Sequence, residues 1–291
     1  MTIRTRIESA ITEVTGERAR FKISQQAHGG SISNSQIITL DDSRRVFVKT
    51  NLQAAEYSGM FAMEHKALQL LAKADVIKVP ETIAYSTDFI VMHAFSEGEK
   101  NSNWSENIGR QLAQLHLSTK NIRFGFEGDN YIGTTLQINE WSDTWLTFWR
   151  EQRLAYQLAL LAKILDNNDK LLRLGEKIME GLDVLLGNID EGAVLLHGDL
   201  WSGNASANEK GEPVIYDPAS YYGHREAEMG MMRMFGGFGP HSESAYNEVW
   251  PLQDGAEQRI LLYRLYHELN HLILFGNSYY ENCISTMKKI A

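Results

Sequence analysis

The segment LLHGDLWSGN, residues 195–204, constrains the fold of this chain more than any other feature. Two leucines that suit a buried strand lead into His197, Asp199 and Asn204, which have the spacing H-x-D-x-x-x-x-N. This spacing keeps a carboxylate, which can accept a proton, close to a carboxamide, whose oxygen is a neutral ligand for a hard cation. An alternative is purely structural, because aspartate caps turns and asparagine tolerates a left-handed backbone.

The spacing resembles the catalytic loop of protein kinases and of related small-molecule kinases. In such a loop Asp199 would accept the proton of the attacking hydroxyl, and Asn204 would bind magnesium. Further along, PVIYDPASYY places Asp217 directly after an apolar strand. The resemblance implies a strand–loop–strand hairpin that brings Asp217 beside the loop as a second magnesium ligand, although Asp217 could also be a turn residue. Pro218 replaces the phenylalanine of protein kinases, so we expect no activation-loop switch of that type.

The predicted secondary structure changes from mainly strands to mainly helices near Gly98, and this change predicts two lobes. From about residue 18 to 95 it reads as the strands RARFKISQ, SQIITLDD, RRVFVKT and DFIVMHAF, interrupted by one helix, AAEYSGMFAMEHKALQLLAKA. An earlier helix is predicted by apolar residues at helical spacing, closed by Gly16. Later segments are mainly helical. We therefore predict an α+β, two-lobed, protein-kinase-like fold. The N-terminal, nucleotide-binding lobe at residues 1–94 has an antiparallel sheet and one main helix. The larger lobe at residues 95–291 is mainly helical, contains the catalytic residues and binds the substrate.

Upstream features appear in the order that a nucleotide site requires. The segment HGGSISNSQ lies between two predicted strands, where Gly29, Gly30 and Ser31 would let backbone N–H groups approach phosphate. In the kinase arrangement Lys49, on the third strand, contacts the phosphates of ATP, and an ion pair with Glu64 of the helix fixes its position. Each feature alone is more often a turn or a surface charge. Their common order predicts binding of ATP and Mg²⁺.

The net charge and the cysteine content limit the classes of binding partner and the cellular location that we expect. The formal net charge of −9 provides no basic field for nucleic acid or an anionic membrane, and no apolar run reaches the roughly 18 residues of a membrane span. The single cysteine, Cys283, excludes an internal disulfide and the usual cysteine-rich zinc site, and it fits a reducing cytoplasm. We expect small molecules or modified proteins as partners, no nucleic acid, no membrane, and a cytoplasmic location.

A competing motif, HELNH at residues 267–271, matches the H-E-x-x-H zinc-protease helix. A metzincin would need glycine and histidine where this chain has Leu274 and Asn277, and Glu281 is close for a zincin's third ligand. We favour a late helix with partly buried histidines. The aromatic residues of WSDTWLTFW are likewise interpreted as packing residues.

Several segments together are similar to the fructosamine kinase family, also called ketosamine-3-kinases: LLHGDLWSGN, PVIYDPASYYGHRE, MFGGF and LYHELNHLILFG. The similarity covers almost the whole chain. It implies a fold resembling aminoglycoside phosphotransferases and transfer of the γ-phosphate of ATP to the 3-hydroxyl of ketosamines, which are sugars joined to small amines or to proteins by glycation. The 3-phosphate is prone to elimination, which frees the amine, so the family is regarded as deglycating.

The resemblance assigns roles to individual residues. Asp199 would be the base, Asn204 and Asp217 the magnesium ligands, and Lys49 with Glu64 the phosphate anchor. The backbone of a hinge at Met92, His93 and Ala94 would meet adenine. Trp201 would form a wall of the sugar pocket or, equally, a core aromatic, and His197 would brace the loop.

Two rival functions remain open from the sequence. One is another kinase of this fold, acting on an aminoglycoside, on choline or on a similar alcohol; acidic residues along the acceptor cleft would suit a polycation. The other is a catalytically silent nucleotide-binding protein, which would be expected to lack the base or a metal ligand, and both are present. Many family members carry a cysteine directly after the glycine pair, where this chain has Ser31, so we expect no redox switch in that loop.

Overall fold

A five-stranded antiparallel sheet forms the core of the N-terminal part of the protein, in a computed structural model that describes residues 1–26, 34–51, 53–54, 56–166, 169–187, 189 and 191–291. The strand order is β1-β2-β3-β5-β4, and the bounds are β1 Phe21–Gln26, β2 Asn34–Leu40, β3 Arg45–Thr50, β4 Thr82–Tyr85 and β5 Phe89–His93. The predicted strands are confirmed, and β2 and β3 pair as an antiparallel hairpin. The predicted glycine-loop residues Gly29, Gly30 and Ser31 lie outside the described residues.

Two helices accompany this sheet. Helix α1, Ile3–Thr15, buries Ile7 and Ile11 and ends at Gly16 in a left-handed conformation, as predicted. Helix α2, Met60–Ala74, carries Glu64. The prediction that α2 begins near Ala54 was wrong, because Gly59 adopts a φ of 79° and separates the preceding turns from the helix.

The rest of the described chain is mainly helical. The helices are α3 Trp104–Ser118, α4 Trp145–Phe148, a π-helical segment Trp149–Ala155, α5 Tyr156–Leu161, α6 Lys170–Leu186, α7 Glu226–Phe235, α8 Ser242–Val249, α9 Ala256–Phe275 and α10 Tyr280–Ile290, with 3₁₀ turns at Ser202–Asn204 and Gly276–Tyr279. Short strands are β6 Lys120–Asn121, β7 Asn130–Ile132, β8 Thr135–Gln137, β9 Ala193–Leu196, β10 Ala205–Ala207, β11 Pro213–Ile215 and β12 Tyr221–Gly223.

One predicted helix is not regular. The helical segment that begins at Trp145, after the N-cap Thr144, passes through the π-helical segment before it continues as α5. The π turn places Arg153 in the interior, where its Nη1 donates to the carbonyl of Ile138 at 2.6 Å. Trp145, Phe148 and Trp149 are buried in the main core, as the packing interpretation predicted.

The α+β class is confirmed: the large sheet lies in the first third of the chain, and most of the helices follow it. The large sheet ends at His93, one residue before the predicted boundary; the division into two lobes at 94/95 stays a prediction. In the described part of the chain, no helix combines the length and apolar character needed to cross a bilayer.

Candidate active site

The predicted catalytic-loop motif directly follows the buried strand β9. All four of its residues are buried, and the chain then turns through Gly198 to Asp199. Gly198 has a φ of 84°, and a Cβ atom there would lie 2.1 Å from the carbonyl oxygen of Ala219. Only glycine fits this position, which explains why a glycine separates His197 from Asp199.

His197 braces the loop, as expected. The backbone N–H of Asp199 donates to its Nδ1 at 3.3 Å, so the ring proton belongs on Nε2, which donates to the carbonyl of Tyr216 at 2.9 Å. Burial lowers the pKa of His197, which favours this neutral form. The imidazole thus ties the proposed base to the segment that carries Asp217.

A second brace, Glu228 in the first turn of α7, was missed by the sequence analysis. Its Oε2 accepts a hydrogen bond from the backbone N–H of His197 at 2.6 Å, and its Oε1 accepts one from Gly198 at 3.0 Å. Burial alone would raise the pKa of Glu228, but His116, whose Nε2 is 3.8 Å from Oε2, and the neighbouring His197 with its backbone N–H outweigh burial and lower it. An ionised carboxylate therefore holds two consecutive N–H groups of the loop.

Lys49 lies between two carboxylates. Its Nζ is 2.6 Å from Oε1 of Glu64, which confirms the predicted ion pair, and 2.5 Å from Oδ1 of Asp217, a contact the sequence did not predict. Burial would lower the pKa of Lys49, but the charges of Asp217 and Glu64 raise it above its ordinary value. The lysine therefore stays cationic in a buried position.

Asp217 follows a short hairpin made of β10 and β11, as predicted. Its φ of 60° is left-handed, a conformation that aspartate adopts more readily than most residues. Two residues later the N–H of Ala219 donates to the carbonyl of His197 at 2.9 Å. This bond fixes the segment after Asp217 against the catalytic loop.

Asn204 is held against the proposed base. Its Nδ2 donates to the backbone carbonyl of Asp199 at 2.8 Å and to Oδ2 of Asp199 at 3.1 Å. Burial, then the charge of Asp217, raises the pKa of Asp199 well above its ordinary range, while the hydrogen bond from Asn204 opposes the rise. Within the described residues no donor occupies Oδ1 of Asn204, so this oxygen is available to a ligand.

These residues share one cleft of about 520 Å³. It is lined by Lys49, Glu64, Asp199, Asn204 and Asp217, and also by Trp201, whose side chain is partly exposed. The indole of Trp201 covers Gly203, where any Cβ would collide with the ring. The structure therefore brings the predicted base, metal ligands, phosphate anchor and substrate residue together.

The predicted hinge is less open than the sequence suggested. Met92 is buried in β5. The N–H of His93 donates to the carbonyl of Glu81 at 2.8 Å, and the N–H of Ala94 donates to the carbonyl of Arg45 at 3.2 Å. A contact between these residues and adenine would have to use other backbone atoms, and their hinge role stays a prediction.

Apart from the predicted catalytic residues, the cleft is lined mainly by aromatic and amide side chains, which form the predicted acceptor wall. Its residues are Asn130, Tyr131, Ile132, Trp201, Phe235, Asn270, His271, Leu274, Phe275 and Tyr279. Among the described lining residues, the only carboxylates are those of Glu64, Asp199 and Asp217. The acidic lining that would suit a polycation is thus absent from the described part of this cleft.

Amide side chains behind the cleft support the segment after Asp217. Asn130 Nδ2 donates to the carbonyl of Ser220 at 2.8 Å, and Gln137 Nε2 donates to the carbonyl of Ala219 at 3.0 Å. Tyr266 of α9 donates its hydroxyl to Oε1 of Gln137 at 2.9 Å. Helix α9 and strands β7 and β8 are therefore coupled to the site.

The zinc alternative finds no support. Glu268 forms an ion pair with Arg264 at 2.7 Å, and Nδ1 of His271 is bonded to the carbonyl of His267 at 2.8 Å. No group of three or more histidine, cysteine or carboxylate side chains within the described ranges could hold a metal. The motif belongs to a packed helix, as favoured from the sequence.

Comparison with known proteins places these observations in a family context. A model of the family described as fructosamine kinase matches residues 3–291. A probable ketoamine kinase of Synechocystis sp. is 36% identical over 97% of this chain and 95% of its own. The chloroplastic protein-ribulosamine 3-kinase of Arabidopsis thaliana is 39% identical over 88% and 79%, and the ketosamine-3-kinase of Mus musculus is 32% identical over 93% and 95%.

Solved structures agree on the fold. A candidate fructosamine-3-kinase from Thermobifida fusca superposes with a TM-score of 0.87 at 30% identity, covering 98% of both chains. A choline kinase from Streptococcus pneumoniae superposes with a TM-score of 0.68 at 12% identity over 98% of both chains, a likeness of fold alone. The predicted protein-kinase-like fold is confirmed.

Proposed function

The chain belongs to the fructosamine kinase family, and we infer that it is an ATP-dependent kinase that phosphorylates the 3-hydroxyl of ketosamines. One observation carries this conclusion: Lys49, Asp199, Asn204 and Asp217 line a single cleft in a chain that the family model matches almost from end to end. A silent nucleotide-binding protein is disfavoured, because the predicted base and the two predicted metal ligands are all present and line the same cleft.

In the proposed reaction, the side chains position the reactants and neutralise charge. Asp199 orients the sugar hydroxyl and accepts its proton, while His197 and Glu228 hold the loop that carries it. Lys49, kept cationic by its two carboxylate neighbours, contacts the phosphates of ATP. Lys49 must exchange part of its contact with Asp217 for phosphate when the nucleotide binds.

The donor set fits Mg²⁺. The open Oδ1 of Asn204 and the carboxylate of Asp217 are hard oxygen ligands, and Mg²⁺ commonly takes few protein ligands and completes its shell with phosphate and water. Bound there, the ion would neutralise phosphate charge during transfer. Asn204 and Asp217 would hold it, and Asn204 would do so while still donating to Asp199.

The acceptor wall favours a sugar over a polycation. Aromatic faces pack against the C–H groups of a sugar ring, and amide groups hydrogen-bond its hydroxyls. Trp201 and Phe235 have ring centroids 5.6 Å apart, which forms an aromatic surface beside Asp199. A wall of this kind supports ketosamines more than aminoglycosides, which carry several positive charges.

A substrate panel tests the proposal. The purified protein with Mg-ATP is offered fructosamine and ribulosamine derivatives of a small amine, kanamycin, and choline, and phosphate transfer is followed with Asp199→Asn as the blank. We expect turnover of the ketosamines and 3-phosphate as the product. Turnover of kanamycin or choline alone would reject the assignment.

The further consequences belong to the same proposal. Phosphate on C3 of a ketosamine promotes elimination, so we propose that the enzyme deglycates amines, on glycated proteins as well as on small molecules. Regeneration of the unmodified lysine side chain in a glycated peptide during the reaction, and its absence without ATP, is the measurement. The cytoplasmic location stays a prediction.

A further inference from the structure

Asn270 of α9 has a hydrogen-bond acceptor that the described residues do not use. Its Nδ2 donates to the carbonyl of Ile132 at 3.2 Å, which identifies Oδ1 as the remaining atom. This oxygen is buried and has no partner within the described residues, although Asn270 lines the cleft. Unpaired buried acceptors are rare and costly, so a donor from a ligand is expected at this end of the cleft.

His271, the next residue, offers a second acceptor. Its Nδ1 lies 2.8 Å from the carbonyl of His267, and because a carbonyl can only accept, the ring proton is on Nδ1. Burial lowers the pKa of His271, which favours the neutral ring with a lone pair on Nε2. In the part of the chain that the structure describes, Nε2 has no hydrogen-bond partner.

Aromatic rings surround the second acceptor, His271. The ring of His271 is 5.3 Å from Phe235, 5.4 Å from Phe275 and 5.0 Å from Tyr279, centroid to centroid. Aromatic faces attract a cation through the ring quadrupole. An acceptor within an aromatic surround, with a second acceptor at Asn270 in the same cleft, suits a group that carries a positive charge together with N–H donors.

This place is close to the reacting hydroxyl. Asp199, Asn270 and His271 line the same cleft. In a ketosamine the amine nitrogen is three bonds from C3. A substrate with its 3-hydroxyl at Asp199 can therefore place its amine on the same side of the cleft.

We propose that Asn270 and His271 recognise the protonated secondary amine of the ketosamine, so that the enzyme selects amine-linked ketoses over ketoses without an amine. This inference rests on the proposed function. A secondary ammonium carries two N–H donors, which matches the two acceptors, and its charge suits Phe235, Phe275 and Tyr279. The two residues thus recognise the amine of the carbon–nitrogen bond that glycation creates.

The test compares an N-alkyl fructosamine with the 1-O-alkyl fructose of the same alkyl group, which has the same sugar but no N–H and no charge. We expect kcat/KM of the parent enzyme to be at least roughly tenfold higher for the amine. His271→Phe keeps an aromatic ring without an acceptor, and it should raise KM for the amine by a clearly larger factor than KM for the ether. His271→Gln restores an acceptor oxygen and should recover most of the preference.

Several outcomes would overturn the inference while the proposed function stands: equal kcat/KM for both substrates in the parent enzyme, or an equal loss on both substrates in His271→Phe. The parent enzyme's own ratio decides even if a variant fails to fold, which thermal unfolding reports. If neither sugar is phosphorylated, the proposed function fails, and the inference fails with it.

Discussion

The carboxylate of Glu228 accepts a hydrogen bond of 2.6 Å from the backbone N–H of His197. The other oxygen of the same carboxylate accepts from the next N–H, at Gly198. Because the side chain is buried, no solvent molecule replaces these acceptors easily. The geometry of the loop that carries Asp199 therefore depends on Glu228, a side chain that does not itself line the cleft.

Replacing Glu228 with glutamine should lower both stability and turnover. Glutamine has one acceptor oxygen, so one N–H of the loop loses its partner, at a cost of about 1–3 kcal/mol in the free energy of unfolding. We expect kcat to fall more than the affinity for ATP, since the base is displaced. Urea unfolding and steady-state kinetics measure the two effects.

Glu226→Gln is the matched control on the same helix. Glu226 is buried and pairs with Arg259 at 2.7 Å, without contact to the loop. Its loss should destabilise the protein but leave the kcat of the folded fraction close to the parent value. Equal kcat losses in the two variants would show that Glu228 is only a stability residue.

Asp199→Asn should reduce turnover by roughly 100-fold or more, because the amide cannot accept the proton and the shape hardly changes. The affinity for Mg-ATP should stay nearly constant. Single-turnover kinetics and nucleotide titration measure the two quantities. A folded variant with near-parent turnover would remove Asp199 from the role of base.

The pH dependence follows from the raised pKa of Asp199. Only the ionised carboxylate accepts a proton, so kcat/KM should fall as the pH drops through this pKa, above the value of about 3.9 for an ordinary aspartate. The folded state holds the proton more tightly than the unfolded state, so the stability contributed by protonated Asp199 is present at low pH and lost as the pH rises through the raised pKa. Asp199→Asn should therefore raise the melting temperature at neutral pH, and this gain should shrink in acid. If kcat/KM falls only at the ordinary pKa of an aspartate, both the predicted pH profile and the predicted gain in melting temperature are contradicted.

Local pattern predicted much of this site, and long-range contact accounts for what it missed. Alternating strands, the helix that carries Glu64 and the hairpin before Asp217 all have signals in neighbouring residues. The contact of Lys49 with Asp217, the two N–H groups held by Glu228 and the aromatic surround of His271 join distant segments. No spacing in one sequence marks such pairs, because they depend on how elements pack.

Asp217→Ala should separate metal binding from phosphate binding. The magnesium ion that accompanies ATP would lose one of its two predicted side-chain ligands, so the affinity for ATP in the presence of Mg²⁺ should weaken at least roughly tenfold. Without the metal, the affinity should stay the same or improve, because Lys49 is released from Asp217 and a negative charge leaves the cleft. Calorimetry in magnesium and in EDTA measures both. Unchanged Mg-ATP binding would make Asp217 a turn residue only.

Mild oxidation should leave the enzyme active. The only thiol, Cys283 in α10, is fully buried, and burial, with the charge of Glu268 adding to it, raises its pKa to about 12. Thiolate is the form that attacks peroxide and disulfides, so this side chain should react slowly. The expected result is unchanged activity and no disulfide dimer on a non-reducing gel after brief peroxide treatment, for the parent and for Cys283→Ser alike. A loss of activity that a reductant reverses, and that Cys283→Ser abolishes, would show that α10 opens to expose the thiol and that this cysteine regulates the enzyme.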